Sequence, residues 1–282
     1  MTTASSTAEL AACLRPHARL MVLTGAGIST ASGIPDYRDP DGKRRGREPI
    51  QGPEFRDRES VRKRYWARSM VGWPILSQAR PNPAHFALAA LEAQGRLVGL
   101  VTQNVDGLHQ HAGSQALVEL HGSIHAVVCL SCRARLARQR VQMALEAANP
   151  TLAGLAAQPA PDGDAHLEPA VLEDFQVPAC PHCGGVLQPD VVFFGDHLAR
   201  AKVLDAERIA HAADACLVVG SFLMVYSGFR LVRMMAERGK PVVALNLGIT
   251  RADPLLTLKV TGPCEQVLPE LAQQLALVSA SA

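Results

Sequence analysis

The sequence predicts an α/β fold: a Rossmann-type, doubly wound parallel sheet with a small zinc-ribbon module and a helical insertion. Three observations predict it. Short β-branched runs recur that are apolar almost throughout and do not alternate, which suits strands buried on both faces of a parallel sheet. Helix-like stretches lie between several of those runs, and strand–helix alternation is the signature of a doubly wound sheet. Two Cys-x-x-Cys pairs sit in a segment that breaks the alternation.

The strand candidates are "RLMVLTG" (19–25), "LVGLVTQ" (97–103), "ALVELHG" (116–122), "ACLVVGS" (215–221) and "PVVALNL" (241–247). Helices are expected over 83–95, 201–213 and 227–239, with Gly95 and Gly239 as residues that end theirs. Residues 41–80 hold two tryptophans and many Arg, Lys and Glu, and read as a helical insertion. The chain is expected to be one unit over 1–282. Its core covers 1–40, 81–126 and 188–282, and its zinc-binding module covers 127–187. Between the cysteine pairs, the Ala/Pro/Gly-rich stretch 149–169 reads as a loose excursion.

The chain has 282 residues, 48% hydrophobic and 19% charged, with a formal net charge of +2. That balance gives no reason to expect a nucleic-acid or lipid-surface protein. The N-terminus lacks the pattern of a signal peptide, and no apolar run is long enough to span a membrane. A cytoplasmic protein is expected, with a monomer favoured. Seven cysteines do not make a disulfide scaffold in a chain of this class.

"TGAGISTASGIPDYR" (24–38) follows the first strand. Gly25 and Gly27 fit the first two places of G-x-G-x-x-G, but the third is Thr30 and the next glycine is Gly33. A strand, glycines and a short helix form the geometry that phosphate binding needs, because backbone N–H groups can approach the anion. A tight turn uses the same residues. Pro35 disfavours helical geometry at Ile34, so the chain is expected to leave the helix early and present Asp36, Tyr37 and Arg38 beside the phosphate site.

"TQNVDGLHQHAG" (102–113) places Gln103, Asn104 and Asp106 at the carboxyl end of a strand, where open α/β sheets bind ligands. An Asx turn reads equally well there. His121 ends the next strand, where a general base belongs. His109 and His111 compete for that role but fall at a helix start. Cys129, Cys132, Cys180 and Cys183 supply four thiolates, a complete tetrahedral set for one structural zinc ion with no open position; Cys-Pro-His-Cys (180–183) also resembles a thiol–disulfide oxidoreductase motif, in which the other pair has no role.

Together, "GAGISTASGIPDYR", "TQNVDGLH", "LHGS", the two cysteine pairs, "PDVVFFGD", "GSFLMV" and "LNLG" resemble, in this order, the sirtuins, the NAD-dependent protein-lysine deacylases. The resemblance runs from about Leu20 to Cys264. "RYWARSMVGWP" and "PNPAHFALA" look most like the class II, mitochondrial-type branch.

The resemblance implies NAD as co-substrate and an acylated-lysine protein or peptide as partner. It implies that Gly25, Ala26 and Gly27, with Thr30, hold the pyrophosphate, and that Asp36, Tyr37 and Arg38 cover the nicotinamide ribose. Gln103, Asn104 and Asp106 would contact that ribose and the nicotinamide amide, and His121, with Asn104, would be catalytic. Gly220, Ser221, Asn246, Leu247, Gly248 and Cys264 would form the adenosine side. Val192, Phe194 and Gly195 would pair with the substrate backbone by β-augmentation. Two positions depart from the family pattern: Phe222 stands where a small hydroxyl residue is common, and Asp196 where Glu is usual.

The implied reaction is attack of the acyl oxygen on the ribosyl C1′ with loss of nicotinamide. His121 then activates a ribose hydroxyl toward the acyl carbon. Tyr65 and Arg68 are three residues apart and share a helix face. Some sirtuins that prefer acidic acyl groups carry such a pair, and a guanidinium can hold a carboxylate bidentately. A solvated basic helix is the bland alternative. Protein mono-ADP-ribosyl transfer and a nucleic-acid-binding zinc ribbon are the rival functions.

Overall fold

Six strands form the central sheet of the computed structural model, which describes residues 6–45, 48–155, 159–160, 164–165 and 172–276. They are β1 (Leu20–Thr24), β2 (Leu97–Thr102), β3 (Leu117–Glu119), β9 (Ala215–Val219), β10 (Val242–Leu245) and β11 (Leu258–Val260). Their order is β11-β10-β9-β1-β2-β3, and every pairing is parallel. The two halves wind outward from the β1/β9 boundary, which is the topological switch point where such sheets bind ligands. Residues of β1, β9 and β10 are buried throughout, as their unbroken apolar sequences require.

Successive side chains of a strand point to opposite faces, and the core divides accordingly. Leu20, Val22, Leu217 and Val243 pack with α1 (Thr7–Leu14), α4 (Pro83–Ala93) and α9 (Cys264–Ala276). Met21, Leu23, Cys216 and Val218 pack on the other face with α7 (Arg200–Ala212) and α8 (Tyr226–Glu237). Gly95 and Gly239 follow α4 and α8 at φ of 71° and 69°, the left-handed geometry that ends a helix. A short α5 (Leu108–His111) follows β2.

A second sheet is antiparallel, in the order β5-β4-β8: β4 (Gly122–Cys129), β5 (Arg135–Ala137) and β8 (Leu187–Val191). With α6 (Arg138–Ala148) it forms the cysteine-bearing module. The boundaries expected at 126/127 and 187/188 fall inside β4 and β8. A hairpin of β6 (Pro159–Ala160) and β7 (Asp164–Ala165) lies within the excursion between the cysteine pairs. Residues 156–158, 161–163 and 166–169 of that stretch lie outside the described residues.

The insertion is helical only from Gly52 onward, as α2 (Gly52–Asp57) and α3 (Glu59–Gln78). Described residues before it form turns, pinned by an Arg38–Arg44 bridge and by Arg38 Nη1 donating to Gly42 O at 2.7 Å. Phe55, Trp66, Val127, Leu145, Leu187 and Phe193 make a third core cluster that joins the insertion to the second sheet. Among the described residues, no helix is long and apolar enough to cross a membrane.

Candidate active site

β1 ends at Thr24 and the glycine loop begins at the switch point. The sequence leads one to expect a short helix here; the structure forms two 3-10 turns, Ala26–Ile28 and Thr30–Ser32. Gly33, at φ of 86°, stops the second turn, and Ile34 N–H bonds back to Ser29 O at 3.3 Å. The glycines also serve a purpose absent from the sequence argument. Gly25 N–H donates to Val219 O at 3.1 Å, and Gly27 N–H to Gly220 O at 2.8 Å. A Cβ on Gly27 would lie 2.9 Å from Gly220 Cα, and one on Gly25 2.8 Å from Ser221 Cβ. The loops after β1 and β9 therefore touch backbone to backbone.

The end of β2 lies against these loops. Gln103 Nε2 donates to Ser221 Oγ at 2.7 Å and to Thr24 O at 3.1 Å. Asn104 Nδ2 donates to Gly25 O and Ser29 Oγ, both at 3.2 Å. Asp106 is buried and accepts from Ser29 Oγ at 2.7 Å and from Leu108 N at 3.0 Å.

His121 follows β3. Its Nδ1 lies 2.8 Å from Gln103 O. A carbonyl oxygen only accepts, so Nδ1 carries the proton and Nε2 is the basic nitrogen. Ser227 Oγ is 2.9 Å from Nε2. Burial, the largest influence, holds the imidazole pKa below its ordinary value; the Gln103 hydrogen bond opposes this and Lys202 adds to it. The ring is thus kept neutral, as a general base must be.

A cavity of about 760 Å³ joins these groups, within the size range of small-molecule sites. Gly25, Ala26 and Gly27, Asp36, Tyr37 and Arg38, Gln103, Asn104 and Asp106, His121, and Gly220 with Ser221 all line it. So do Tyr65, Arg68, Val192, Phe194 and Gly195. Among the described residues His121 is its one histidine. His109 is instead buried beside Thr24 and His85, and His111 faces His125. Asp36 pairs with Arg45 at 3.0 Å on the loop over the cavity.

The segment 192–196 is tied to α2. Gly52 N–H donates to Phe194 O at 2.8 Å. Arg56 holds Asp196 with both Nη atoms, at 2.6 and 2.9 Å. A Cβ on Gly52 would collide with the Asp196 carboxylate. The shorter acid at 196 therefore has its own partner and its own seat. Val192 N–H is bonded to His121 O at 2.8 Å.

At the far end of the second sheet, the Sγ atoms of Cys129, Cys132, Cys180 and Cys183 lie within 4.8 Å of one another. A Cβ on Gly185 would come 3.0 Å from Cys129 Sγ, so the chain turns close beneath the cluster. Four converging thiols fit one tetrahedral zinc ion.

Residues 25–227 match the model of the Sir2 family. The chain belongs to the Sir2 family. It is similar to "NAD-dependent protein deacetylase 3" of Pseudomonas syringae pv. tomato, 55% identical over 256 residues, covering 90% of this chain and 91% of that one. The "NAD-dependent protein deacetylase" of Xanthomonas axonopodis pv. citri is 57% identical over 252 residues, 89% and 86% of the two chains. A solved structure described as "Structural Basis for the Mechanism and Regulation of Sir2 Enzymes" superposes with TM-score 0.76 at 30% identity, covering 97% of this chain and 98% of that one. A Sir2 structure with a p53 peptide and NAD+ gives TM-score 0.73 at 28% identity, covering 99% and 100%.

In this Sir2 protein some expected site residues lie off the main cavity. Thr30 is exposed and its hydroxyl bonds to Gly27 O at 3.1 Å. Asn246 is buried and donates to Gly248 O at 2.9 Å, while Leu247 is exposed. Cys264 opens α9, where burial pushes its thiol up to about 12. The Phe222 ring lines the cavity and rests on Gly248: a Cβ there would be 2.7 Å from the ring.

Ser29 reads from the sequence as a hydroxyl donor of the phosphate loop, and its link to Asp106 spans 77 residues. Ser227, and the pairing of Arg56 with Asp196, are not legible in the sequence, since they join residues 106 and 140 apart. Local sequence carries no signal for such pairs.

Proposed function

We propose that this protein is an NAD-dependent protein-lysine deacylase, releasing nicotinamide, free lysine and O-acyl-ADP-ribose. The observation that carries the reading is His121. It is a neutral imidazole on the cavity wall, its tautomer fixed by Gln103 O, beside the loops that meet at the switch point. The names of the bacterial relatives support the same activity.

When bound, NAD supplies an ADP-ribosyl group whose C1′ takes the acyl oxygen and whose ribose then takes the acyl group. The chain's residues prepare both events. Gly25, Ala26 and Gly27 hold the pyrophosphate as a turn without bulk that lets the anion approach closely, while Gly25 N–H and Gly27 N–H themselves stay bonded to Val219 O and Gly220 O. Asn104 and Asp106, already held by Ser29, orient the ribose and the nicotinamide amide. His121 Nε2 removes a proton from a ribose hydroxyl. Asp36, Tyr37 and Arg38 cover the site and exclude competing water. Val192, Phe194 and Gly195 hold the substrate peptide as an added strand. Gly220, Ser221, Asn246, Leu247, Gly248 and Cys264 form the adenosine side. The four cysteines hold one zinc ion that braces the second sheet.

A finer reading concerns the acyl group. Tyr65 and Arg68 line the cavity, and Arg68 is buried. That placement favours a substrate acyl chain ending in a carboxylate, gripped by Arg68. We read the chain as one catalytic unit of the class II branch, monomeric and cytoplasmic, where its thiols stay reduced. Protein ADP-ribosyl transfer is not favoured, because the relatives are named deacetylases. Acetyl-, succinyl- and glutaryl-lysine peptides incubated with NAD test the reading. Loss of an acyl mass with the wild type, and not with His121→Ala, supports it; active wild-type NAD turnover with every peptide unchanged opposes it.

A further inference from the structure

Ser227 stands in the first turn of α8, whose N-cap is Val225. Its Oγ lies 2.9 Å from His121 Nε2, and both residues line the large cavity. Because Nδ1 carries the ring proton, Nε2 offers one lone pair, and the serine hydroxyl is its donor. The serine cannot easily retreat. The next residue, Gly228, is buried against Gln103, where a Cβ would lie 2.7 Å from Oε1. Gln103 is the same residue whose carbonyl holds Nδ1. One residue thus seats both the ring and the turn that carries the serine.

A ribose hydroxyl that gives its proton to Nε2 must take the lone pair that Ser227 now fills. The displaced O–H remains next to that atom. It is then placed to donate to the ribose oxygen, where negative charge develops. A preset donor at such a point is worth much in a water-poor site.

We propose that Ser227 is a second hydroxyl of the acyl-transfer step: it holds His121 Nε2 until a ribose hydroxyl takes that atom, then donates its hydrogen bond to the ribose oxygen. The proton of the ribose hydroxyl passes to Nε2. Its electron pair stays on oxygen and forms the bond to the acyl carbon, whose double bond to the lysine nitrogen opens with its electron pair going to that nitrogen. Ser227 keeps its own proton throughout. The proposal rests on the deacylase reading.

Ser227→Ala and Ser227→Thr test it, with three readouts. The first is exchange of labelled nicotinamide into NAD in the presence of acetyl- and glutaryl-lysine peptides, which reports the step before His121 acts. The second is kcat for acyl transfer. The third is the NMR titration of His121 in the protein without NAD. An O–H donor to Nε2 favours the neutral ring, so its loss moves that titration to higher pH. The charged group that bears on His121 is Lys202 of α7, which neither variant alters.

The expected result for Ser227→Ala is a kcat lower by about tenfold or more. Exchange stays within about twofold, His121 titrates at higher pH, and Ser227→Thr restores most of kcat. An unchanged kcat, an exchange rate that falls in step with kcat, or an unmoved His121 titration would overturn the proposal. Wild-type exchange is measured first. Its absence would defeat the deacylase reading itself, independently of any variant.

Discussion

Gly27 and Gly220 stand face to face across the switch point: Gly27 N–H donates to Gly220 O at 2.8 Å, with no room for a side chain between them. A Cβ on Gly220 would lie 2.4 Å from Ile28 N, and Gly220 holds φ at 58°. Gly27→Ala should therefore cost about 1–3 kcal/mol by overpacking. Gly220→Ala should cost more, since left-handed geometry adds about 1–2 kcal/mol. Denaturant unfolding measures both. Equal, negligible costs would mean the loops are free to separate.

Arg56 and Asp196 form an ion pair with the Arg side chain 36% exposed. Such pairs contribute about 1 kcal/mol or less to stability. The pair matters because it fixes the segment proposed to receive the peptide. Arg56→Ala should raise the peptide KM about fivefold, from about 1 kcal/mol of lost positioning, with kcat and the KM for NAD unchanged. Steady-state kinetics with either substrate varied separates these. An effect on kcat alone would show that the segment acts elsewhere.

The cysteine cluster closes a sheet whose core is shared with the helical insertion. Metal binding to four thiolates is folding free energy for such a module. A strong chelator, or Cys180→Ala, should lower the melting temperature and abolish turnover together. Zinc added back should restore the chelated protein. Full activity of a protein shown by elemental analysis to be metal-free would contradict the structural role.

Two buried histidines make stability depend on pH. Burial is the main cause that lowers His85 from 6.5 to about 4 and His109 to about 3. His85 Nδ1 also accepts from Asn82 N at the start of α4, which keeps that nitrogen unprotonated. The unfolded chain takes up protons on these rings below pH 6.5, while the folded chain does not. Stability should be full above pH 6.5 and fall steadily toward about pH 3. Denaturant midpoints across that range measure the slope, and His85→Gln should flatten it. An equal slope in the variant would place the acid sensitivity in other groups.

Much of this was legible in the sequence because it depends on local pattern. Continuous apolar runs such as "ACLVV" marked strands buried on both faces, and Gly95 and Gly239 marked helix ends. β11, with Lys259 at its centre and three residues in all, gave no such run. Glycine spacing does not report hydrogen-bond pitch, so the sequence cannot tell the 3-10 turns after Gly25 from a short helix. His121 could be placed at a strand end from order alone. Its tautomer could not, since that rests on Gln103 O, 18 residues away in sequence and 2.8 Å in space.

The most direct test of the account is the identity of the product that carries the acyl group. Wild-type protein, NAD and acetyl- or glutaryl-lysine peptide are incubated and the mixture is read by mass spectrometry. The account predicts O-acyl-ADP-ribose, nicotinamide and free-lysine peptide in equal amounts, with multiple turnover to all three lost in His121→Ala. Nicotinamide release with the acyl group still on lysine in both peptides, and ADP-ribose attached to protein, would contradict it.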